Sequence, residues 1–261
     1  NILDDYYIPI ADEVITADPI TTYQVKGGAL YNVNENLGLF VNSGYVQKAP
    51  ILDNVIYYDG TVATDPDNEK FLHNEVGVNW GTEKVGVRVS AYDTDWKDRN
   101  LTKSVQTGQG SSGDTDIIFL TGVNQKHQGL ELETKVKPTD KVELDFIASY
   151  GNWKFDGDAD GTYQEQEYND NNQVIGVTTT EYSYALDGLY VGDMPQTSYI
   201  LGLTYKPIKG LRLQALYKTY DRNYADWSPE SREVEGDADR AQVWEAPGYS
   251  KLDLHASYKL P

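Results

Sequence analysis

The residues of this chain with the sharpest chemical meaning are the carboxylates between positions 156 and 167. Asp156, Asp158 and Asp160 fall at positions 1, 3 and 5 of a twelve-residue frame, Gly161 at 6 and Glu167 at 12. That is the D-x-D-x-D-G-x5-E spacing with which oxygen ligands converge on calcium. Alternate carboxylates reach one hard cation, the glycine permits the sharp turn, and the last glutamate closes the shell with two oxygens. Asp156, Asp158, Asp160 and Glu167 are therefore the expected ligands, and Ca2+ is the only cofactor the sequence suggests. Two facts pull the other way. No helix is expected before Asp156 or after Glu167, and a solvated acidic loop would produce the same string in so acidic a chain.

A second set of chemically useful side chains is aromatic. Trp96, Trp153, Trp227 and Trp244 fall in or near long polar stretches, where an indole could stack on a sugar ring or an aromatic chelator. The competing reading is an interfacial girdle, the usual place for amphipathic aromatics at a lipid–water boundary. Catalytic constellations are not recognisable. The three histidines, His73, His127 and His255, sit in or beside strand-like segments, and no HExxH, P-loop or G-x-S-x-G string occurs. No enzymatic activity is expected.

Composition bounds what can position these residues. The 261 residues carry 22 basic and 41 acidic side chains, a formal charge of -19. No basic patch outweighs that field, so a nucleic-acid partner is not expected. There are 21 Tyr, 5 Trp and 5 Phe and no Cys, which excludes disulfides and thiol chemistry. Mean hydropathy is -0.58, and no stretch approaches the roughly 18 apolar residues of a spanning helix. A helical membrane protein is excluded. A membrane β-barrel is not, because its strands are apolar only at every second position.

Period-2 alternation runs through the chain. Leu37, Leu39 and Val41 follow a polar turn after Tyr23, Val25 and Tyr31. Val76, Val78 and Trp80 precede a turn at Gly81, and Val85, Val87 and Val89 return against Arg88. Leu130 and Leu132 alternate with Glu131 and Glu133. Leu144 and Phe146 alternate with Glu143 and Asp145. Leu211, Leu213 and Leu254 alternate with Arg212 and Asp253. The apolar sets are expected to face lipid and the charged sets a lumen. Segments 22–32, 84–95 and 140–153 reach the roughly 9–11 residues a membrane strand needs. Short turns near Asn34, Gly81, Thr139 and Lys209 alternate with long loops expected at 47–68, 98–115, 154–178 and 223–248. Short turns on one side and long loops on the other mark an outer-membrane barrel.

Several phrases then carry a resemblance. Gly129-Leu130-Glu131-Leu132-Glu133 with Lys137-Pro138, then Gly192-Asp193-Met194-Pro195-Gln196-Thr197, then Leu203-Thr204-Tyr205-Lys206-Pro207 resemble successive strand–turn phrases of TonB-dependent outer-membrane receptors. Residues 211–226, Ala246-Pro247-Gly248-Tyr249 with the strand to Tyr258, and the Gly44-Tyr45 region up to Pro50 resemble further strands of that family in the same order.

The resemblance implies an all-β transmembrane antiparallel barrel, here partial, with about 10–12 of a family barrel's 22 strands. Residues 1–261 are then expected to be a C-terminal portion of the barrel, without the plug domain and without the final two or three strands. A naturally closed barrel of this length is the alternative. The implied function is TonB-dependent uptake of a siderophore, saccharide, cobalamin or peptide across the bacterial outer membrane. The implied partners are outer-membrane lipid, TonB, a plug domain and other subunits of a membrane complex. A non-transporting β-rich adhesin or saccharide-binding protein remains the competing class.

Overall fold

The computed structural model describes residues 15–56, 62–64, 66–106, 115–168, 174–232, 234 and 240–260. The alternation resolves into antiparallel strands: β1 (Gln24–Asn34), β2 (Leu37–Lys48), β3 (Glu69–Gly81), β4 (Val85–Gln106), β5 (Thr115–Thr139), β6 (Val142–Phe155), β7 (Ala159–Tyr168), β8 (Val174–Tyr184), β9 (Pro195–Tyr205), β10 (Leu211–Tyr224), β11 (Glu245–Ala246) and β12 (Tyr249–Tyr258). Two short 3-10 turns, Leu52–Asn54 and Pro229–Ser231, are the only helical elements among the described residues. The strands form one curved sheet whose wall runs β1-β2-β3-β4-β5-β6-β9-β10-β12. Among the described residues it is open, with β1 paired to β2 alone and β12 to β10 alone.

Short turns close one end, each by a local device. Asn34 Oδ1 accepts the Asn36 N–H at 2.9 Å, Thr82 Oγ1 accepts the Val85 N–H at 3.1 Å, and Thr139 Oγ1 accepts the Lys141 N–H at 3.2 Å. These side-chain turns hold the reversal without a long loop. In the fourth turn Gly210 sits at φ +88, and a Cβ there would come within 2.7 Å of the Lys259 carbonyl oxygen, so glycine answers both backbone and space.

Register carries one apolar face across the whole wall. Val25 pairs with Tyr45, Leu39 with Val78, Val78 with Val89, Val89 with Leu132, Leu132 with Ala148, Leu144 with Leu203, Leu203 with Ala215, and Ala215 with Leu254. Val85, Val87, Leu211 and Leu213 share this face, while Arg88, Glu143, Asp145, Arg212 and Asp253 lie on the other, as alternation predicts. Exposure is inverted relative to a soluble sheet. Val76 is 56% exposed and Leu254 73%, whereas Thr204 on the polar face is fully buried. Water cannot stabilise so wide an apolar surface; hydrocarbon can. Along β6 the band runs from Val142 to Tyr150, about 20 Å once a typical barrel tilt is allowed for, close to the ~25 Å of a barrel's apolar belt.

Two of the expected long loops are largely strand over their described residues. β4 and β5 are 22 and 25 residues long, about twice a membrane crossing. Register shifts between Trp96 and Leu101 bend the pair as it leaves the wall, with Asp98 at φ +54. The region expected as a loop at 154–178 forms β7 and part of β8. β7 pairs with the outer part of β5 through Ile118↔Tyr163 to Thr121↔Asp160, and β8 pairs with β7. Among the described residues only this cap is packed in the manner of a soluble protein. Leu120, Val123, Phe155, Tyr184, Leu186, Leu189, Tyr224, Trp227 and Val243 form its buried cluster.

Candidate functional site

The polar face of the wall is charged and tightly cross-linked near its middle. Glu75 accepts from Asn42 at 2.9 Å and from Arg88 at 3.1 Å, and the Arg88 guanidinium lies 4.2 Å over the Phe40 ring. Toward the cap this face becomes aromatic. Phe71 and His73 on β3, Tyr92 and Trp96 on β4, His127 on β5 and Trp153 on β6 share it through the pairs Phe71↔Trp96, Thr94↔His127 and His127↔Trp153.

The side chains make a connected strip. Trp96 meets Phe71 edge-on at 5.8 Å, His73 lies 6.3 Å from Tyr92, and the Trp153 Nε1–H donates to the Tyr92 hydroxyl at 2.8 Å. His127 stacks on Trp153 at 5.5 Å. Arg99 caps the strip, its guanidinium 4.1 Å over Trp96 and its Nη1 donating to Gln125 at 3.0 Å. Both indoles are therefore oriented. Trp96 donates to the buried Glu69 carboxylate at 3.2 Å. The Trp153 backbone is gripped by Gln196, whose Oε1 accepts its N–H and whose Nε2 donates to its carbonyl, both at 2.9 Å. Preset rings of this kind present flat faces to a ligand at little entropic cost.

Of the four tryptophans singled out by sequence, Trp96 and Trp153 are thus brought together. Trp227 is only 4% exposed, packed in the cap against Tyr184 at 5.4 Å and under the Lys103 ammonium. Trp244 is 68% exposed beside β11, away from the strip. Sequence reasoning did not single out Phe71 or Tyr92, and it gave His73 and His127 no ligand role. The signal was available, since counting by twos from Glu75 on β3, Arg88 on β4 and Glu131 on β5 puts all four on the charged face.

The expected calcium ligands are not brought together. Asp156 pairs with Lys97. Asp158 accepts both guanidinium nitrogens of Arg240, at 2.9 and 2.8 Å, and the backbone N–H groups of Leu186 and Asp187 at 3.0 and 3.1 Å. Asp160 accepts from Ser183 at 2.6 Å. Glu167 lies on β7 in register with Gly176, and its side chain is outside the described residues. The backbone from Asp160 to Glu167 is an extended strand, so positions 5 and 12 of the frame stand about 23 Å apart rather than converging. Among the described residues no three His, Asp or Glu side chains form a metal-holding group. The ion pairs hold Asp156 and Asp158 below the usual carboxylate range, through the hydrogen bonds from Lys97 and Arg240 respectively.

Comparison with known proteins gives one family. The model of the TonB dependent receptor-like β-barrel matches residues 16–261. No curated protein sequence matches. Among solved structures, the ferric-catecholate import receptor Fiu of K12 E. coli aligns with TM-score 0.53 and 15% identity over 90% of this chain and 28% of its own. The copper transporter OprC aligns at 0.44 and 14% identity, over 88% of this chain and 38% of its own. A mutant of the monoaromatic hydrocarbon channel TodX aligns at 0.41 and 15% identity, over 77% and 54%. The chain therefore spans well under two thirds of the length of each.

Proposed function

This chain belongs to the TonB-dependent receptor β-barrel family, and from that premise we propose that it forms part of the wall and ligand entrance of a bacterial outer-membrane receptor that imports a scarce nutrient. TonB, and a plug domain that the full-length receptor supplies, are the partners this reading requires, and the chain supplies a C-terminal portion of the barrel. The observation that carries it is the aromatic strip on the polar face of a wall whose other face is apolar and exposed. The strip stands where the lumen meets the cap, and two of its indoles are locked by hydrogen bonds. It offers rings and one guanidinium rather than a metal cage or a nucleophile. Within the family's range of cargo, that favours a ligand with flat faces, an aromatic metal chelate or a saccharide.

The test uses the full-length receptor in detergent, titrated separately with a ferric catecholate chelate and with linear oligosaccharides while tryptophan emission is followed. One probe class is expected to give saturable quenching. Trp153→Ala should weaken it about tenfold or more, the usual cost of removing a buried aromatic anchor. Trp244→Ala, outside the strip, should not change it. Equal affinity in wild type and Trp153→Ala removes the strip from ligand recognition.

A further inference from the structure

The apolar face of the wall ends, on the cap side, in a group of cations and tyrosines that the uptake reading does not use. Tyr150 and Lys154 lie on the same face of β6 as Leu144, Phe146 and Ala148, because they share their parity. Lys154 is bridged to Tyr190, and its ammonium sits 4.8 Å from that ring. Even-numbered residues of β10 face the lumen, but Arg222 stands at φ +54. That left-handed twist redirects its side chain. The guanidinium lies 4.6 Å over Tyr150 and 5.5 Å from Tyr190, and Nη1 donates to the Gly151 carbonyl at 2.6 Å. Tyr190 in turn stacks on the buried Tyr224 at 4.2 Å. Ring and cation alternate from Tyr150 through Arg222 and Tyr190 to Lys154, fixed to the cap at one end and resting on the apolar band at the other.

Charge pairing separates these two cations from their neighbours. Lys126, in register with Lys154, pairs with Asp95 at 3.2 Å, Lys70 pairs with Asp98 at 2.7 Å, and Lys97 pairs with Asp156. Among the described residues Lys154 and Arg222 have no carboxylate within ion-pair distance. A chain of formal charge -19 does not lack carboxylates, and a non-glycine residue at positive φ is strained. Two cations without a carboxylate partner among the described residues, one of them in a strained backbone and held by a carbonyl and tyrosine hydroxyls, thus stand directly above a lipid-facing band.

We propose that Lys154 and Arg222, with Tyr150 and Tyr190, form a site on the outside of the wall that holds the phosphate of a lipid headgroup from the surrounding leaflet. The site rests on the outer-membrane reading above. Its position selects the occupant: acyl chains lie along Leu144, Phe146 and Leu203 while the headgroup rises to the level of Tyr150. Tyrosines suit that boundary. Long cationic side chains extend from apolar surface toward charge, and the guanidinium fork matches phosphate oxygens.

The full-length receptor, reconstituted in phosphatidylcholine nanodiscs with and without lipid A, tests the site by native mass spectrometry of the lipid retained after extraction. Wild type should keep lipid A in preference to phosphatidylcholine. Lys154→Gln, which breaks no backbone contact, should reduce retention several-fold, and Lys154→Gln with Arg222→Gln about tenfold or more. Lys209→Gln, at the short-turn rim, should behave as wild type. Equal retention in all four inserted proteins overturns the proposal, as does complete displacement of lipid A by inorganic phosphate, which would make the site one for a free anion. Failure of every form to insert into nanodiscs, with no heat-modifiable band on gels, would instead sink the outer-membrane reading on which the site rests.

Discussion

Asp158 shows how one residue can hold the cap's chain together. Its two oxygens take a bidentate Arg240 fork and two backbone N–H groups, joining residues 158, 186, 187 and 240. Hydrogen bonds to a charged carboxylate favour its ionised form, and the Arg240 pair is the main cause that holds its acidity below the usual range. The sign follows. A carboxylate depressed in the folded state contributes stability that is present above its unfolded value, about pH 4, and lost as pH falls through its folded value. The Asp158 side chain is 38% exposed, so water screens the pair and the effect is modest. The cap is therefore expected to loosen below about pH 4, seen as faster amide exchange at Leu186 and Asp187, and Asp158→Asn should show that fast exchange already at pH 7. Unchanged exchange in the variant would mean the clamp is incidental. The sequence made these carboxylates visible as a spaced string but not their partners. Arg240 is 82 residues away along the chain, and nothing in a local spacing tells whether the backbone coils around an ion or extends as a strand.

Elements divide into two regimes that obey opposite rules. In the wall, strands place apolar side chains outward, and the pattern was legible because every second residue repeats the same environment over a full membrane crossing. In the cap, β7, β8 and the outer ends of β4 and β5 bury apolar residues against one another. Their sequence reads as polar loop, because Gly, Ser, Asp and Thr outnumber the few residues that pack. Leu120 is fully buried and contacts Gly161, whose Cβ would come within 2.9 Å of it. A strand that close to its neighbour admits no larger residue there. Leu120→Ala should then cost about 2–5 kcal/mol, confined to the cap. Limited proteolysis would show cleavage within 98–106 and 159–184 at lower protease concentration than in wild type, while the heat-modifiable gel band of the barrel persists. Loss of both together would show that cap and wall unfold as one unit.

At the scale of the molecule, the governing fact is an open sheet whose outer face suits lipid. β1 is eleven residues long and β12 ten, and among the described residues each has one side without a strand. Half of the backbone N–H and C=O groups of each point to that side, about ten per edge by strand geometry. Each would cost several kcal/mol unpaired in hydrocarbon, so the two edges together cost many times the 5–15 kcal/mol by which a folded protein is ordinarily stable. In water the edges are tolerable but the apolar face is not; in lipid the reverse holds. Neither solvent accepts the sheet alone. The wall is therefore expected to be completed by further strands, from the same receptor or from a second chain, and the interior pairs such as Arg88–Glu75 and Lys206–Glu143 would line a lumen only once it is. Residues 1–261 expressed alone and presented to outer-membrane lipid are expected to give no protease-resistant, heat-modifiable monomer. The same residues co-expressed with the remainder of a family barrel should give a resistant complex that Val89→Lys, near the middle of the lipid face, weakens by about 2–4 kcal/mol. A resistant monomer from the segment alone would show that β1 and β12 meet each other, and that this wall closes with no strands but its own.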